Sequence, residues 1–155
     1  MPTVSLASRL PVPTSTAWEH ATSFEGVNHE LMPLMRMTAP KGFRSLDSGD
    51  VVLGQRMFRS WVLLFGLIPF EYDDLTLVEL EPGRRFLERS PMLSMKLWQH
   101  ERIVEADGSG GCTVTDNLTF EPRMAFMRPL ARAIVGFQFR HRHRRLRARF
   151  AGNEA

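Results

Sequence analysis

The sequence predicts an α+β fold in which a curved antiparallel sheet packs along one long C-terminal helix. Strand-like segments follow one another through the middle of the chain, without the crossover helices that an α/β fold requires. Two short helical segments separate the first strand from this run. The last strong helical periodicity extends over residues 124–150.

The N-terminal part of the chain predicts one strand, two short helices and an edge strand. Residues 3–10 alternate weakly between apolar and polar side chains, and the prolines that follow end this strand because proline cannot donate to a sheet. Thr16-Ala17-Trp18-Glu19 has the spacing of a capping box, with Thr16 as N-cap, and predicts a helix to about residue 22. A second helix is predicted over residues 24–30, and a short edge strand over residues 34–38 between two prolines.

The middle of the chain predicts an antiparallel meander, because turn-forming glycines and prolines separate successive apolar segments. Strands are predicted over residues 51–65, 70–80, 84–89, 97–105 and 112–120. The longest apolar run, residues 61–70, falls short of the roughly 18 residues of a membrane span. It is therefore interpreted as a buried strand and turn.

The hairpin before the terminal helix gives the most specific geometric prediction. If Glu105 faces Thr113 across the glycine-rich loop, four further pairs share one face of the sheet. They are Trp98 with Phe120, His100 with Leu118, Arg102 with Asp116, and Val104 with Val114. Because buried charges are tolerated only when paired, the middle of this face predicts a polar patch set in an apolar wall.

Apolar residues lie on two sides of the terminal helix. Phe126, Leu130, Ile134, Phe137 and His141 recur on one side, whereas Val135, Phe139, Leu146 and Phe150 fall on the other. We expect such a helix to be covered on both sides or to bend, and Gly136 lies where the change would occur.

Length and composition predict one domain spanning residues 1–155. Apolar residues at 43% and charged residues at 24% are ordinary for a soluble globular protein. The N-terminus lacks the basic and apolar pattern of a secretion signal. The single cysteine, Cys112, excludes an internal disulfide and fits a reducing compartment, so a cytoplasmic location is predicted.

Positive charge is concentrated at the end of the chain. From Arg123 onward the sequence carries a net charge of +8, and the preceding residues carry −5. Six arginines fall within residues 140–149: Arg140, Arg142, Arg144, Arg145, Arg147 and Arg149. They could bind an anionic lipid or nucleic acid, or they could bind the acidic part of the protein itself. No nucleic-acid reader motif accompanies them, so the structural interpretation is favoured.

Several of these segments together resemble the START-related, polyketide-cyclase-like ligand-binding superfamily (SRPBCC), and in particular a bacterial branch of it. The resemblance rests on Arg36-Met37-Thr38-Ala39-Pro40, Trp98-Gln99-His100, Asp116, Pro122 and Phe139-Arg140-His141-Arg142. It covers nearly the whole chain. The chain departs from the pattern at Ser90-Pro91-Met92, where the family often has Gly-Pro, so the rim of the pocket is expected to differ there.

The resemblance implies a helix-grip fold, with a seven-stranded antiparallel sheet around the terminal helix and an elongated apolar cavity between them. It also implies binding of a small hydrophobic molecule resembling a lipid, a sterol or a polyketide. The protein is expected to be a monomer or a homodimer. Members of the superfamily include cyclases and hydratases, so an enzyme using His100 and Asp116 as acid and base is the alternative. No catalytic residue is assigned beyond these two candidates.

Candidate ligand-binding residues combine the hairpin face with the terminal helix. They are Trp98, His100, Arg102, Asp116, Leu118, Phe120, Leu130, Ile134 and Phe137. Glu71 with Asp73, or Tyr72 alone, would also point inward, and Arg56 is a possible pocket cation or a solvated edge charge. Met92, Met95, Met124 and Met127 are expected near the cavity mouth. No metal, nucleotide or covalent-catalysis signature is present, so no cofactor is predicted.

Overall fold

The structure, a computed structural model, describes residues 1–49 and 51–151. Asp50 and residues 152–155, which belong to the predicted domain, lie outside the described residues. The elements are β1 (Thr3–Leu10), α1 (Thr14–Thr22), α2 (Phe24–Leu31), β2 (Met35–Met37), β3 (Arg56–Leu64), β4 (Ile68–Glu81), β5 (Arg85–Ser90), β6 (Met95–Ala106), β7 (Cys112–Pro122), a 3-10 turn (Ala125–Met127) and α3 (Arg128–Phe150).

The strands of the described chain form one curled antiparallel sheet in the order β1-β7-β6-β5-β4-β3-β2. Consecutive strands from β2 to β7 are neighbours, and β1 closes the order beside β7. α3 packs against β1 and β7 and contacts α2, while α1 packs against β6 and β7. This arrangement confirms the predicted α+β fold, with a seven-stranded sheet, two short helices after the first strand and a long terminal helix.

The predicted β6–β7 register is confirmed. Glu105 pairs with Thr113, and the other four predicted pairs are present. Alternate residues along both strands are buried, so the face carrying the latter four pairs points into the protein. The glycine-rich loop has Gly108 and Gly110 at positive φ, a conformation that side chains with a Cβ rarely adopt, and this favours the tight connection that fixes the register.

The capping-box prediction is wrong, because α1 begins three residues earlier than expected. Pro13 occupies the N-cap position, and no side chain caps the first turn. Thr16 therefore lies inside the first turn of the helix. The next helix is capped as the chemistry of serine predicts: the Ser23 hydroxyl accepts from the amide of Gly26 at 3.0 Å.

The predicted long third strand is shorter than expected, and the interpretation of residues 61–70 as buried is wrong. β3 begins at Arg56 because the chain turns just before it, where Gly54 has a φ of +82°. The β3–β4 hairpin then turns at Phe65 and Gly66, both at positive φ. At this tip Phe65 is 60% exposed and Leu67 is 80% exposed. The apolar run therefore ends in an exposed hairpin tip.

One apolar face of α3 is buried and the other is not. Val135, Phe139, Leu146 and Phe150 pack into the two core clusters. Leu130, Ile134 and Phe137 are each more than half exposed, as is Phe126 in the preceding turn. Of the two expected arrangements, coverage of both sides is therefore wrong. In the described part of the chain, no helix combines the length and apolarity needed to cross a bilayer.

Candidate functional site

A cavity of about 710 Å³ lies between the sheet and the first half of α3. Its wall is mainly apolar and includes Trp98, Leu75 and Phe86 from the sheet, together with Ala131 and Val135 from α3. Six methionines also line it: Met35, Met37, Met92, Met95, Met124 and Met127. Methionine adapts its shape to irregular apolar neighbours, so this wall can accommodate more than one packing arrangement.

Asp73, Glu88 and His100 form a polar strip across one side of this wall. They come from β4, β5 and β6, and Glu88 pairs directly with His100 across the strands. All three side chains are buried, with Asp73 only 3% exposed. The Ser90 hydroxyl donates to Glu88 at 2.8 Å, whereas Oδ1 of Asp73 has no hydrogen-bond partner among the described residues. The strip therefore contains a buried carboxyl oxygen without a hydrogen-bond partner in the wall of an apolar cavity.

The Asp73 carboxyl is held in an environment that disfavours its charge. Burial raises its pKa well above the usual range, and the neighbouring Glu88 carboxylate raises the pKa further. Two carboxyls this close cannot both ionise cheaply, so the Asp73–Glu88 pair retains a proton more readily than isolated side chains do. Glu71, also on the cavity wall, differs because it accepts from the hydroxyl and the amide of Ser94.

Behind the polar strip lies a buried cluster of charged and imidazole groups centred on Arg102. Its guanidinium donates to both oxygens of Asp116 at 2.7–2.8 Å and to both oxygens of Glu30 at 2.8 Å. The Arg142 guanidinium donates to Glu30 at 3.0 Å. Both carboxylates are fully buried, so the two guanidinium groups balance the two negative charges inside the protein.

The charge state of this cluster follows from its geometry. Burial, the largest single effect, opposes ionisation of Glu30 and of Asp116, but Arg102 together with the other partners of each carboxylate outweighs it and holds both pKa values well below the usual range. Three histidines place Nε2 against these carboxylates: His20 on Glu30, and His100 and His143 on Asp116, at 2.7–2.8 Å. Because an ionised carboxylate only accepts, Nε2 carries the proton in each case.

His100 connects the cluster to the cavity. Its Nε2–H is fixed on Asp116, so in the neutral ring Nδ1 is left as an acceptor. The ring packs edge-on against Phe86 and Phe139, which hold its plane. An oriented imidazole with an available nitrogen lining an apolar cavity can bind a donor or act as a base.

The structure divides the predicted binding residues into two groups. Trp98, His100, Leu130, Ile134 and Phe137 line the cavity. The other four are not among the described residues that line it: Arg102, Asp116, Leu118 and Phe120. The prediction that Arg102 and Asp116 contact a ligand directly therefore does not fit the geometry, because each is saturated by partners inside the protein.

The alternation of side chains along a strand also shows which candidate residues on β3 and β4 point into the cavity. Glu71 and Asp73 point inward and line the cavity, whereas the Tyr72 ring lies beneath the guanidinium of Arg59. Arg56 is exposed and lies 3.7 Å from Asp74, so it is an edge charge and not a pocket cation.

Exposed apolar side chains surround the mouth of the cavity. Phe65 and Phe70 come from the β3–β4 hairpin, and Leu130, Ile134 and Phe137 come from α3. Each lines the cavity and is at least 47% exposed. The exposed face of α3 thus forms one edge of the opening.

Most of the C-terminal arginines bind the protein itself. Arg142 and Arg149 donate to carboxylates, Arg145 donates to the backbone carbonyl of His29, and Arg147 donates to the Ser8 hydroxyl. This agrees with a structural role for the basic stretch. The acidic part of the chain supplies two of the acceptors, Glu30 and Glu25.

Glu30, Glu88 and His143 belong to the site but were not predicted from the sequence. Glu30 lies 72 residues from Arg102, and no local pattern connects the two positions. Glu88 carried a usable signal, because it shares strand parity with the apolar Phe86 and so belongs on the inner face of β5. His143 lies on the helix far from the hairpin in sequence, and it links Asp116 to the Ser8 hydroxyl.

A family model described as domain of unknown function DUF8410 matches residues 8–150. The chain belongs to this family. No curated protein matches the sequence.

Several solved structures share the fold of this DUF8410 chain. A protein from Chromobacterium violaceum is 14% identical with a TM-score of 0.73, over 97% of this chain and 98% of the other. A START superfamily protein from Mycobacterium smegmatis is 10% identical with a TM-score of 0.70, over 97% of both chains. DynU16, a protein in the dynemicin biosynthetic locus, is 18% identical with a TM-score of 0.57, over 93% of this chain and 46% of the other. These similarities confirm the START-like helix-grip fold.

Proposed function

We propose that this DUF8410 protein binds a small hydrophobic molecule in the cavity between the sheet and α3. The observation that carries the proposal is the cavity itself: its volume of about 710 Å³ falls within the roughly 300–1,000 Å³ of small-molecule sites. A mainly apolar wall with a few buried polar groups is typical of such sites. The exposed apolar mouth supports entry of an apolar molecule from one edge of α3.

The ligand class expected from the fold is a lipid-, sterol- or polyketide-like molecule. A START superfamily protein and a protein from a dynemicin biosynthetic locus have the same fold, which supports this class. We propose that the protein is cytoplasmic, as the single cysteine suggests. We also propose that it is a monomer or a homodimer, and light scattering after size exclusion would test this oligomeric state.

Native mass spectrometry of the purified protein, followed by extraction and identification of any bound molecule, tests the proposal. Ala131 is buried on the cavity wall, whereas Ala133, two residues along the same helix, is exposed. We expect Ala131→Trp to fill the cavity and lose the bound molecule, and Ala133→Trp to retain it. If both variants bind a fluorescent hydrophobic probe as the parent does, the cavity is not the binding site.

A second candidate is an enzyme of the cyclase or hydratase type, which the fixed His100 ring favours. In this alternative His100 Nδ1 acts as the base, and Asp116 orients the ring without contacting the substrate. Comparing the molecules extracted from the parent and from His100→Ala separates the two functions. A carrier yields the same molecule from both, with affinities within about tenfold because one hydrogen bond is lost. An enzyme yields unreacted substrate from the variant.

A further inference from the structure

More carboxyl side chains than cationic side chains lie at the polar strip of the cavity wall. Among the described residues, three carboxyl side chains line the cavity: Glu71, Asp73 and Glu88. Glu71 is held by the hydroxyl and the amide of Ser94. Asp73 and Glu88 come from the neighbouring strands β4 and β5 and line the same wall, although Glu88 lies opposite Leu77 in the strand register, and Oδ1 of Asp73 is buried without a partner.

The two arginines on the same wall, Arg123 and Arg142, donate hydrogen bonds to groups other than Asp73 and Glu88. Arg142 donates to Glu30 and lies over the Phe139 ring, with its guanidinium carbon 4.8 Å from the ring centroid. Arg123 donates to the backbone carbonyls of Met92 and Leu93 at 2.8 Å. In the part of the chain that the structure describes, no lysine or arginine forms an ion pair with Asp73 or Glu88.

A buried carboxyl pair without a protein cation gains from a cation that a ligand supplies, because an unpaired buried charge is costly. We propose that the cavity selects an amphiphilic cation, an apolar molecule whose protonated amine lies between the carboxyls of Asp73 and Glu88. This inference rests on the proposed function, because it names the ligand chemistry of the same cavity. The methionine-rich wall would hold the apolar body, and the ammonium would donate to the Asp73 carboxyl.

Three ligands with the same alkyl chain but different head groups distinguish selectivity for a cation from simple hydrophobic binding. Dodecylamine is protonated at pH 7, dodecanol is neutral and dodecanoate is ionised. We expect dodecylamine to bind about tenfold more tightly than dodecanol, because hydrogen bonds to charged groups are stronger than neutral ones. Dodecanoate should bind most weakly, because its charge repels the pair. The protein's net charge of +3 does not favour binding of a cation. This ranking of affinities would therefore have to come from the carboxyl groups in the cavity.

Calorimetric titration of each ligand below its micelle concentration gives the affinities. Asp73→Asn with Glu88→Gln keeps the shape of the strip but removes its ionisable groups. We expect this variant to bind dodecylamine and dodecanol within about twofold of each other. Asp74→Asn is the matched control. Asp74 is the next residue on β4, and its carboxylate lies 2.8 Å from the Arg59 guanidinium, on the side of the sheet that faces away from the cavity. It should retain the preference for the amine.

The outcomes distinguish failure of this inference from failure of the proposed function. Equal binding of the amine and the alcohol by the parent protein, abolished by Ala131→Trp, would overturn the amine selectivity and leave the hydrophobic site standing. Tighter binding of dodecanoate would overturn it in the same way. If none of the three ligands binds, or if Ala131→Trp binds them all unchanged, the proposed function itself fails.

Discussion

Replacing Arg102 with methionine tests whether the buried cluster stabilises the fold. The substitution removes four hydrogen bonds of 2.7–2.8 Å and leaves Glu30 and Asp116 fully buried with less positive charge beside them. Removing one partner of a buried ion pair costs about 3–5 kcal/mol, a large part of a domain's total stability of about 5–15 kcal/mol. We therefore expect Arg102→Met to lose about 3–5 kcal/mol of unfolding free energy.

Urea unfolding followed by tryptophan fluorescence measures this loss as a lower midpoint at unchanged slope. Arg85→Met is the control, because Arg85 also makes several ion pairs, with Glu79, Glu81 and Glu101, but lies at the sheet surface. We expect it to cost no more than about 1 kcal/mol. Equal losses for the two variants, or a loss below about 1 kcal/mol for Arg102→Met, would refute the argument that burial makes this cluster energetically decisive.

Two further predictions concern pH and the cavity acids. The pKa values of Glu30 and Asp116 are lower in the folded than in the unfolded protein, so the stability they contribute is present above about pH 4 and lost as pH falls below it. Urea midpoints between pH 3 and 6 should show this fall, and a flat profile would contradict it. The pKa of Asp73 is shifted the opposite way, so its ionisation costs stability as pH rises above about 4. Asp73→Asn should therefore stabilise the protein by about 1 kcal/mol at pH 7 and by almost nothing at pH 3, and a destabilised variant at pH 7 would contradict this.

The sheet was predictable where local chemistry specifies geometry. The glycine-rich loop and the alternation of β6 and β7 were sufficient to give the register from Trp98 to Val104, because a slip of one residue would turn every buried side chain outward. The start of β3 was not predictable from its apolar pattern. The turn around Gly54 and the exposed tip at Phe65 depend on backbone conformation that the pattern does not encode.

The site was only partly predictable, because its charges come from distant parts of the chain. The pairing of Arg102 with Asp116 followed from the register, but Glu30 reaches the same guanidinium from α2. Without that partner the cluster resembled a ligand-binding patch. The helix presented a related ambiguity, since an apolar stripe at a cavity mouth and one in a core have the same periodicity. Leu130 and Ile134 therefore belong to a mouth that sequence alone could not distinguish from a buried interface.

The asymmetry of α3 has a consequence for how a molecule would reach the cavity. The second half of the helix is fixed, because Arg142 and His143 bind the buried carboxylates of Glu30 and Asp116. The first half lines the cavity and carries the exposed Leu130. Partial opening should therefore begin at the first turns of α3 and stop before Arg142, with amide protons exchanging faster in the first half than in the second. The helix would act as a flap hinged near its middle, so passage in and out would not require unfolding of the whole protein.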